Sequence, residues 1–364
     1  QAERIDAAAP ELVAVAPFAE QARRSFPSAT QSAVALAVRN IEAFHCQTRP
    51  RDIEVITMPG LSVAKEWRAL GSAGLYVPGG KAPLFSTLLM LAIPARVAGV
   101  ERLTVVTPPR PDGGLDPAIA LAAEACGIDA IWTIGGAQAI AALAYGAGEI
   151  LPVDRICGPG NVWVSAAKAL VASLPGGPGI DLPAGPSELM VIADDSSDPA
   201  TVAADLLSQA EHDVDAQVLL VSPSDDLVAI VEQTLGAQAY RVRAIRCASL
   251  DEAASIANAY APEHLSLATD DADRLVPLIR NAGAIFAGHG AAETFGDYLA
   301  GSSHVLPTDG AARFTGGVST MTFMKAITVQ RVSQEVARAL AAPAAALARL
   351  EGLEAHALAA ECRA

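Results

Sequence analysis

Apolar residues recur at helical spacing over residues 29–46, ATQSAVALAVRNIEAFHC, and predict one amphipathic helix. From Gly74 onward the pattern changes. Short β-rich runs alternate with helical stretches: GLYV precedes a helix over 84–98, RLTVVTPP precedes PAIALAAEAC, DAIWTIGG precedes AQAIAALAYG, and DRICGPGN precedes VWVSAAKALVASL. A second series follows. ELMVIAD leads to a helix ending in SQAEH, AQVLLVSP to a helix over 225–236, RAIRCAS to DEAASIANAY, HLSLAT to ADRLVPLIRNA, and GAIFAG closes it. This strand–turn–helix rhythm is the signature of parallel α/β sheet. The Gly/Pro-rich segment 174–188, LPGGPGIDLPAGPSE, lies between the series and reads as a domain hinge. Residues 333–350 read as an Ala/Leu-rich helix, followed by EGLEAH.

Loops after parallel strands gather at one edge of a sheet, where such folds bind ligands. The glycine turns Gly79-Gly80, Gly135-Gly136, Gly158-Pro159-Gly160 and Gly185-Pro186 are therefore candidate site elements. Each taken alone also satisfies a simple need for a tight turn. No GxGxxG is present, so the standard dinucleotide fingerprint is absent.

Composition narrows the classes. With 364 residues, 52% of them hydrophobic, the chain is expected to hold two or three domains with a large core. A formal net charge of −15 argues against nucleic acid or an anionic membrane as partner, since both attract basic surfaces. The apolar run LFSTLLMLAIPARVAGV is interrupted by Pro94 and Arg96 and is too short to span a bilayer. No basic-then-apolar leader opens the sequence, and Gln1 in place of Met predicts that the native N-terminus lies upstream. The five cysteines, Cys46, Cys126, Cys157, Cys247 and Cys362, are scattered without a CxxC pair, which predicts free thiols in the cytoplasm. Cys157, beside a glycine turn, comes nearest to a functional thiol.

The candidate chemistry lies in the scarce histidines. His45 ends an amphipathic helix and reads as a surface residue or helix-end cation, and His289, in AGHGAAE, reads as solvated loop. Gln209 and His212 are spaced i, i+3, so they share a helix face. They suit either a solvated helix end or two metal ligands. Asp297 and His304 lie in ETFGDYLAGSSHVLPT, and His356 lies in EGLEAH. A His/His/Asp/Gln set suits a borderline cation such as zinc, although spacing alone cannot join residues so far apart. Glu263 and His264 stand at the mouth of a predicted strand. A carboxylate and an imidazole are natural bases near neutral pH. Capping by Glu263 and packing by His264 is the other reading.

GLYVPGGKAPLFSTLLM, GGAQAIAALAYG, CGPGNVWVSAAK, GIDLPAGPSELMVIAD, DLLSQAEHD, APEHL and GDYLAGSSHVLPT, in that order, resemble the histidinol dehydrogenase family, and EGLEAH is similar to its tail. The resemblance runs from about residue 30 to the C-terminus. It implies the last step of histidine synthesis: oxidation of L-histidinol to L-histidine through L-histidinaldehyde, with two NAD and one zinc ion per subunit. It also implies zinc ligands Gln209, His212, Asp297 and His356, and catalysis by Glu263 and His264. Substrate contacts would come from Ser187, Glu293, His304 and Glu351 along with the zinc ligands and His264, and cofactor contacts from Tyr76, Gln138 and Asn161. The family is a homodimer with exchanged tails, so His356 is expected to serve the partner's site. The implied fold is two parallel-sheet α/β domains with incomplete dinucleotide-type folds and a helical dimer arm. Residues 1–75 and 189–318 would carry zinc and substrate, 76–188 the NAD, and 319–364 the arm.

The chain departs from the family pattern in a shorter N-terminal segment, a shorter stretch between 236 and 243, and Ala326 after Lys325. Two other readings compete. A related dehydrogenase of another polar alcohol, such as a sulfonated diol, would want Arg or Lys where Glu293, Glu351 and His304 stand. A zinc-binding protein without catalysis would leave Glu263 and His264 without a role.

Overall fold

The computed structural model describes residues 9–79, 83–111, 114–182, 185–212 and 214–364. The chain divides into a larger unit, Gln1–Thr48 with Leu70–Phe323, and a smaller one, Arg49–Ala69 with Met324–Ala364. Elements are numbered along the chain.

The larger unit holds two sheets. Strands β1 (Leu12–Ala14), β4 (Ser72–Tyr76), β5 (Arg102–Thr107), β6 (Ala130–Thr133), β7 (Arg155–Cys157) and β8 (Gly179–Ile180) form the first, in the order β1-β6-β5-β4-β7-β8. All its neighbours are parallel except β1, which runs antiparallel to β6. Helices α1 (Ala16–Ser25), α2 (Ser28–Thr48), α3 (Phe85–Ala98), α4 (Pro117–Ala125), α5 (Gly136–Tyr145) and α6 (Val162–Ser173) accompany it. The apolar run containing Pro94 is α3, buried without a break from Ser86 to Ala95. A helix apolar all round is one that protein covers on every side. No helix among the described residues is long and apolar enough to cross a membrane.

The second sheet is fully parallel, in the order β11-β10-β9-β12-β13, from β9 (Glu188–Ala193), β10 (Gln217–Ser222), β11 (Val242–Arg246), β12 (His264–Ala268) and β13 (Ala284–Ala287). Its helices are α7 (Pro199–Ala210), α8 (Asp225–Leu235), α9 (Leu250–Tyr260) and α10 (Ala272–Leu275), and α11 (Glu293–Tyr298) follows β13. Strand β9 shows why these runs read as continuously apolar. Leu189 and Val191 pack with Val202, Leu206 and Val231 on one side, while Met190 and Ile192 pack with Ala253, Leu265 and Leu267 on the other. Both faces are covered, so no position needs to be polar. The helix expected over ADRLVPLIRNA is reduced to α10 and a 3-10 turn, Val276–Leu278, because Pro277 has no N–H to continue the ladder.

The smaller unit is built on β2 (Ile53–Met58), β3 (Leu61–Ala69) and β14 (Met324–Val332), antiparallel in the order β14-β3-β2, followed by α12 (Gln334–Leu350) and α13 (Glu354–Glu361).

His45 corrects the sequence reading. It is fully buried near the end of α2, with its ring edge-on to Phe44 at 5.2 Å. The Thr320 hydroxyl donates to its backbone oxygen at 3.2 Å. Burial pushes its pKa down to about 4, so the folded protein keeps it neutral. The unfolded chain takes up that proton below about pH 6.5, so this contribution is present above that pH and lost as pH falls through about 4. It is worth at most about 3 kcal/mol. A urea titration from pH 7 to pH 4 should show stability falling, and His45→Gln should flatten that slope. An unchanged slope would contradict a neutral, buried imidazole.

Candidate active site

Strand β12 opens on His264, and Glu263 precedes it; both are buried. The His264 Nδ1–H donates to the Glu188 carbonyl at 3.0 Å, which leaves Nε2 as the free nitrogen. Three carboxylates surround the ring. Glu263 Oε2 and Glu293 Oε1 lie 3.5 and 3.6 Å from Nδ1, and Asp297 Oδ1 lies 3.8 Å from Nε2. Phe286 of β13 stacks on the ring at 5.9 Å. Neither His264 Nε2 nor Glu293 Oε2 has a hydrogen-bond partner.

Gln209 joins this cluster from the last turn of α7, fully buried. With its carboxamide oriented as the neighbouring groups require, its nitrogen donates to Glu293 Oε1 at 2.5 Å and its oxygen accepts from the Glu188 N–H at 3.1 Å. The His304 Nδ1–H donates to the Asp297 carbonyl at 2.9 Å, and its Nε2 lies 3.4 Å from the Thr87 hydroxyl.

The electrostatics follow from burial and crowding. Burial alone would lower the His264 pKa, but the hydrogen bond and charge of Glu263 and the charges of Glu293 and Asp297 prevail and raise it to about 9. Burial pushes Glu293 up to about 8, with Asp297 and Glu263 adding to the rise and His264 opposing it. Burial holds His304 below its usual value.

A second set of candidates stands at the carboxyl edge of the six-stranded sheet, around the switch between β4 and β7. Buried Tyr76 ends β4, and its phenolic oxygen accepts from the Gly136 N–H at 3.2 Å. Asn161 caps α6, its Oδ1 accepting from the Trp163 and Val164 N–H groups at 3.1 Å each. Gly158 sits at φ +126°, where an added Cβ would lie 2.1 Å from the Tyr76 carbonyl oxygen, so only glycine fits. Its loop is clamped. Lys168 Nζ donates to the Gly158 carbonyl at 2.8 Å and to Asp181 Oδ1 at 2.5 Å, and Asp181 Oδ2 accepts from the Gly158 N–H at 2.7 Å. Cys157 beside it is fully buried, and burial pushes its thiol well above the usual range, so it is no ready nucleophile. All five cysteines are free.

The larger unit thus brings Gln209, Glu263, His264, Glu293, Asp297 and His304 together. His212 lies just past the end of α7 and is exposed, and Ser187 is half-buried immediately before β9. Gln138 is half-buried in the first turn of α5, and Asn161 is exposed. Glu351 and His356 belong to the smaller unit, and both are exposed. Gly80, and Pro183 and Ala184 of the hinge segment, lie outside the described residues. In the five-stranded sheet the buried cluster lies at the amino edge, where Glu188 and His264 begin their strands, and not at the edge reached by the loops that follow them. The C-terminal end of α7 and the segment from α11 to His304 return to that edge and supply the partners. Residues missed in the sequence are Glu188, Thr87 and Phe286. A carboxylate opening the apolar run ELMVIAD was the one available signal.

Two largely parallel sheets, with a buried acid–imidazole cluster between the amino edge of one and the first turn of a helix after the carboxyl edge of the other, define an α/β protein with a candidate acid–base site. The sequence profile of histidinol dehydrogenase matches residues 2–364. The histidinol dehydrogenase of Caulobacter vibrioides is 44% identical over 374 residues, covering 99% of this chain and 86% of that one. The crystal structure of histidinol dehydrogenase from Elizabethkingia anophelis superposes with a TM-score of 0.95 at 37% identity, covering 100% of this chain and 86% of that one. The acetylating aldehyde dehydrogenase from Geobacillus thermoglucosidasius reaches a TM-score of 0.51 at 15% identity over 86% of this chain and 90% of that one, a likeness of fold alone. The chain belongs to the histidinol dehydrogenase family.

The Lys168–Asp181 pair gives a direct check on the clamp, because the two side chains are only 3% and 1% exposed. Lys168→Met leaves a buried carboxylate without its cation and should cost about 3–5 kcal/mol. Adding Asp181→Asn should restore part of the loss in thermal denaturation. A single variant with the parental midpoint would contradict the clamp.

Proposed function

We propose that this chain oxidises L-histidinol to L-histidine through L-histidinaldehyde with NAD and zinc, as the last step of histidine synthesis in the cytoplasm. The observation that carries the reading is the convergence of His264, Glu263, Glu293, Asp297 and Gln209 in one buried space, linked through His304 to Thr87 in the first turn of α3. That turn follows β4, whose carboxyl end carries Tyr76 of the candidate cofactor set.

The residues fit a borderline divalent cation. Ligand atoms of His264, Glu293 and Asp297 lie within 4.8 Å of one another, two buried polar atoms of the cluster lack partners, and its nitrogen and oxygen donors suit zinc. Of that cluster Asp297 would ligate the ion, together with Gln209, His212 and His356 from the exchanged tail of a second copy, leaving His264 and Glu293 to face the substrate. Bound zinc supplies a place for the two nitrogens of the amino alcohol, which orients the alcohol carbon. Tyr76, Gln138 and Asn161 in the 76–188 domain, read as an incomplete dinucleotide fold, would hold NAD, which would supply the hydride acceptor. A dication held there would add positive charge beside His264 and so oppose protonation of Nε2.

In the first oxidation His264 takes the hydroxyl proton as the C–H bond breaks and its electron pair leaves as hydride. The carbonyl forms and the aldehyde stays in place. Glu263 then takes a proton from the water that adds to the aldehyde carbon while His264 returns its proton to the carbonyl oxygen, giving the hydrate and leaving His264 neutral again. A second C–H bond breaks, a second hydride leaves, His264 takes the hydroxyl proton, and the product is the carboxylic acid. Glu293 or Glu351 pairs with the substrate's charged amine, and Ser187 and His304 complete its contacts.

The homodimer is supported by β2, an edge strand on which Ile53, Val55 and Ile56 are 60%, 52% and 73% exposed. Apolar side chains on an unpaired edge call for a partner. The arm would span 319–364, leaving 1–75 and 189–318 as the zinc and substrate domain.

With L-histidinol and excess NAD, the expected yield is two NADH per histidinol. His264→Asn should lower kcat roughly 10²–10⁴-fold while zinc content by elemental analysis stays at the parental level. One NADH per substrate, or loss of zinc in step with rate in the variant, would overturn the assignment.

A further inference from the structure

We infer that Glu188 is the positioning residue that sets the Glu263–His264 pair and ties it to the loop after His304. The inference rests on the roles given above to Glu263 and His264.

Glu188 is 2% exposed at the first position of β9. Each of its hydrogen-bonding groups holds part of the site. Its N–H donates to Glu263 Oε2 at 2.9 Å, and its carbonyl accepts from His264 Nδ1 at 3.0 Å. Its side chain returns the contact, Oε2 accepting from the Glu263 N–H at 3.2 Å. Glu188 and Glu263 therefore grip each other reciprocally, carboxylate to backbone, across the mouths of two adjacent parallel strands. The other carboxylate oxygen, Oε1, accepts from the Asp309 N–H at 2.9 Å. Asp309 sits at φ +53°, a conformation that a non-glycine residue keeps only when its surroundings hold it. It ends the stretch that begins at Glu293 and contains Asp297 and His304.

The backbone groups of Glu188 survive any substitution, so the side chain is the testable part. A carboxylate offers two acceptors to two buried N–H groups. A carboxamide offers one acceptor and turns an NH₂ toward the other donor. Glu188→Gln therefore frees either the Glu263 N–H or the Asp309 N–H and shifts the general base by a fraction of an ångström. Errors of that size slow reactions by roughly 10- to 100-fold.

The experiment measures the two half-reactions separately on zinc-loaded enzyme: the first NADH from L-histidinol and NADH formed from L-histidinaldehyde. In Glu188→Gln the aldehyde half-reaction should fall more than the alcohol half-reaction, with KM for histidinol within about threefold of the parent. Glu188→Asp keeps both acceptors on a shorter stem, and should show the same skew to a smaller degree if the Gln variant folds poorly. A purely structural role would reduce both half-reactions in proportion to the folded fraction, and that result overturns the inference. Glu263→Gln is run alongside. If it slows the aldehyde step and the Glu188 variants do not, positioning by Glu188 is wrong and the role of Glu263 stands. If it leaves that step intact, the role of Glu263 falls, and the inference falls with it.

Discussion

Three carboxylates and one imidazole share a single buried space in this protein, and much of the architecture serves to keep them there. Glu263, Glu293 and Asp297 each approach His264 within 4 Å. Like charges so close repel, and burial weakens the solvent that would otherwise screen them. The arrangement persists because separate elements hold the groups. Glu263 is held by a strand mouth, Gln209 by the end of a helix, and Glu293 and Asp297 by α11. One imidazole among three carboxylates leaves a deficit of positive charge, which a cation is suited to fill.

Placement of this cluster follows from the two sheets. At the six-stranded sheet, strand-ending turns come so close to each other that Gly158 has no room for a side chain. At the five-stranded sheet the chemistry stands at the opposite, amino edge. The contact between His304 and Thr87 links the two sets of groups. The cluster around His264 therefore lies near the first turn of α3, which follows the strand ending in Tyr76. That proximity is what the proposed hydride transfer requires.

Much of the fold was legible in the sequence, for a physical reason. Parallel strands covered on both faces, such as ELMVIAD, are continuous apolar runs, and their crossover helices follow at once. The antiparallel sheet of the smaller unit was not read, because every residue of β2 is exposed and the pairing of β14 with β3 joins segments far apart in sequence. Residues 327–330, ITVQ, do alternate, and that signal was there to use. His45 was misjudged because a helical period places a residue on a face without naming what covers it, here Thr320, 275 residues away. For the site, Gln209, Glu263, His264 and Asp297 stood out by residue type, and family resemblance joined them. Glu188 stayed hidden beside Ser187, since its role depends on a strand pairing that no local pattern reveals.

The most direct test of a charge-deficient, cation-seeking cluster needs no substrate. Metal-free protein is titrated with zinc, with bound metal counted and thermal unfolding followed. The account predicts one zinc per chain and a rise in midpoint, corresponding to about 2.7 kcal/mol at a hundredfold excess over Kd, both lost in Asp297→Ala. No stoichiometric zinc and an unmoved midpoint would contradict it.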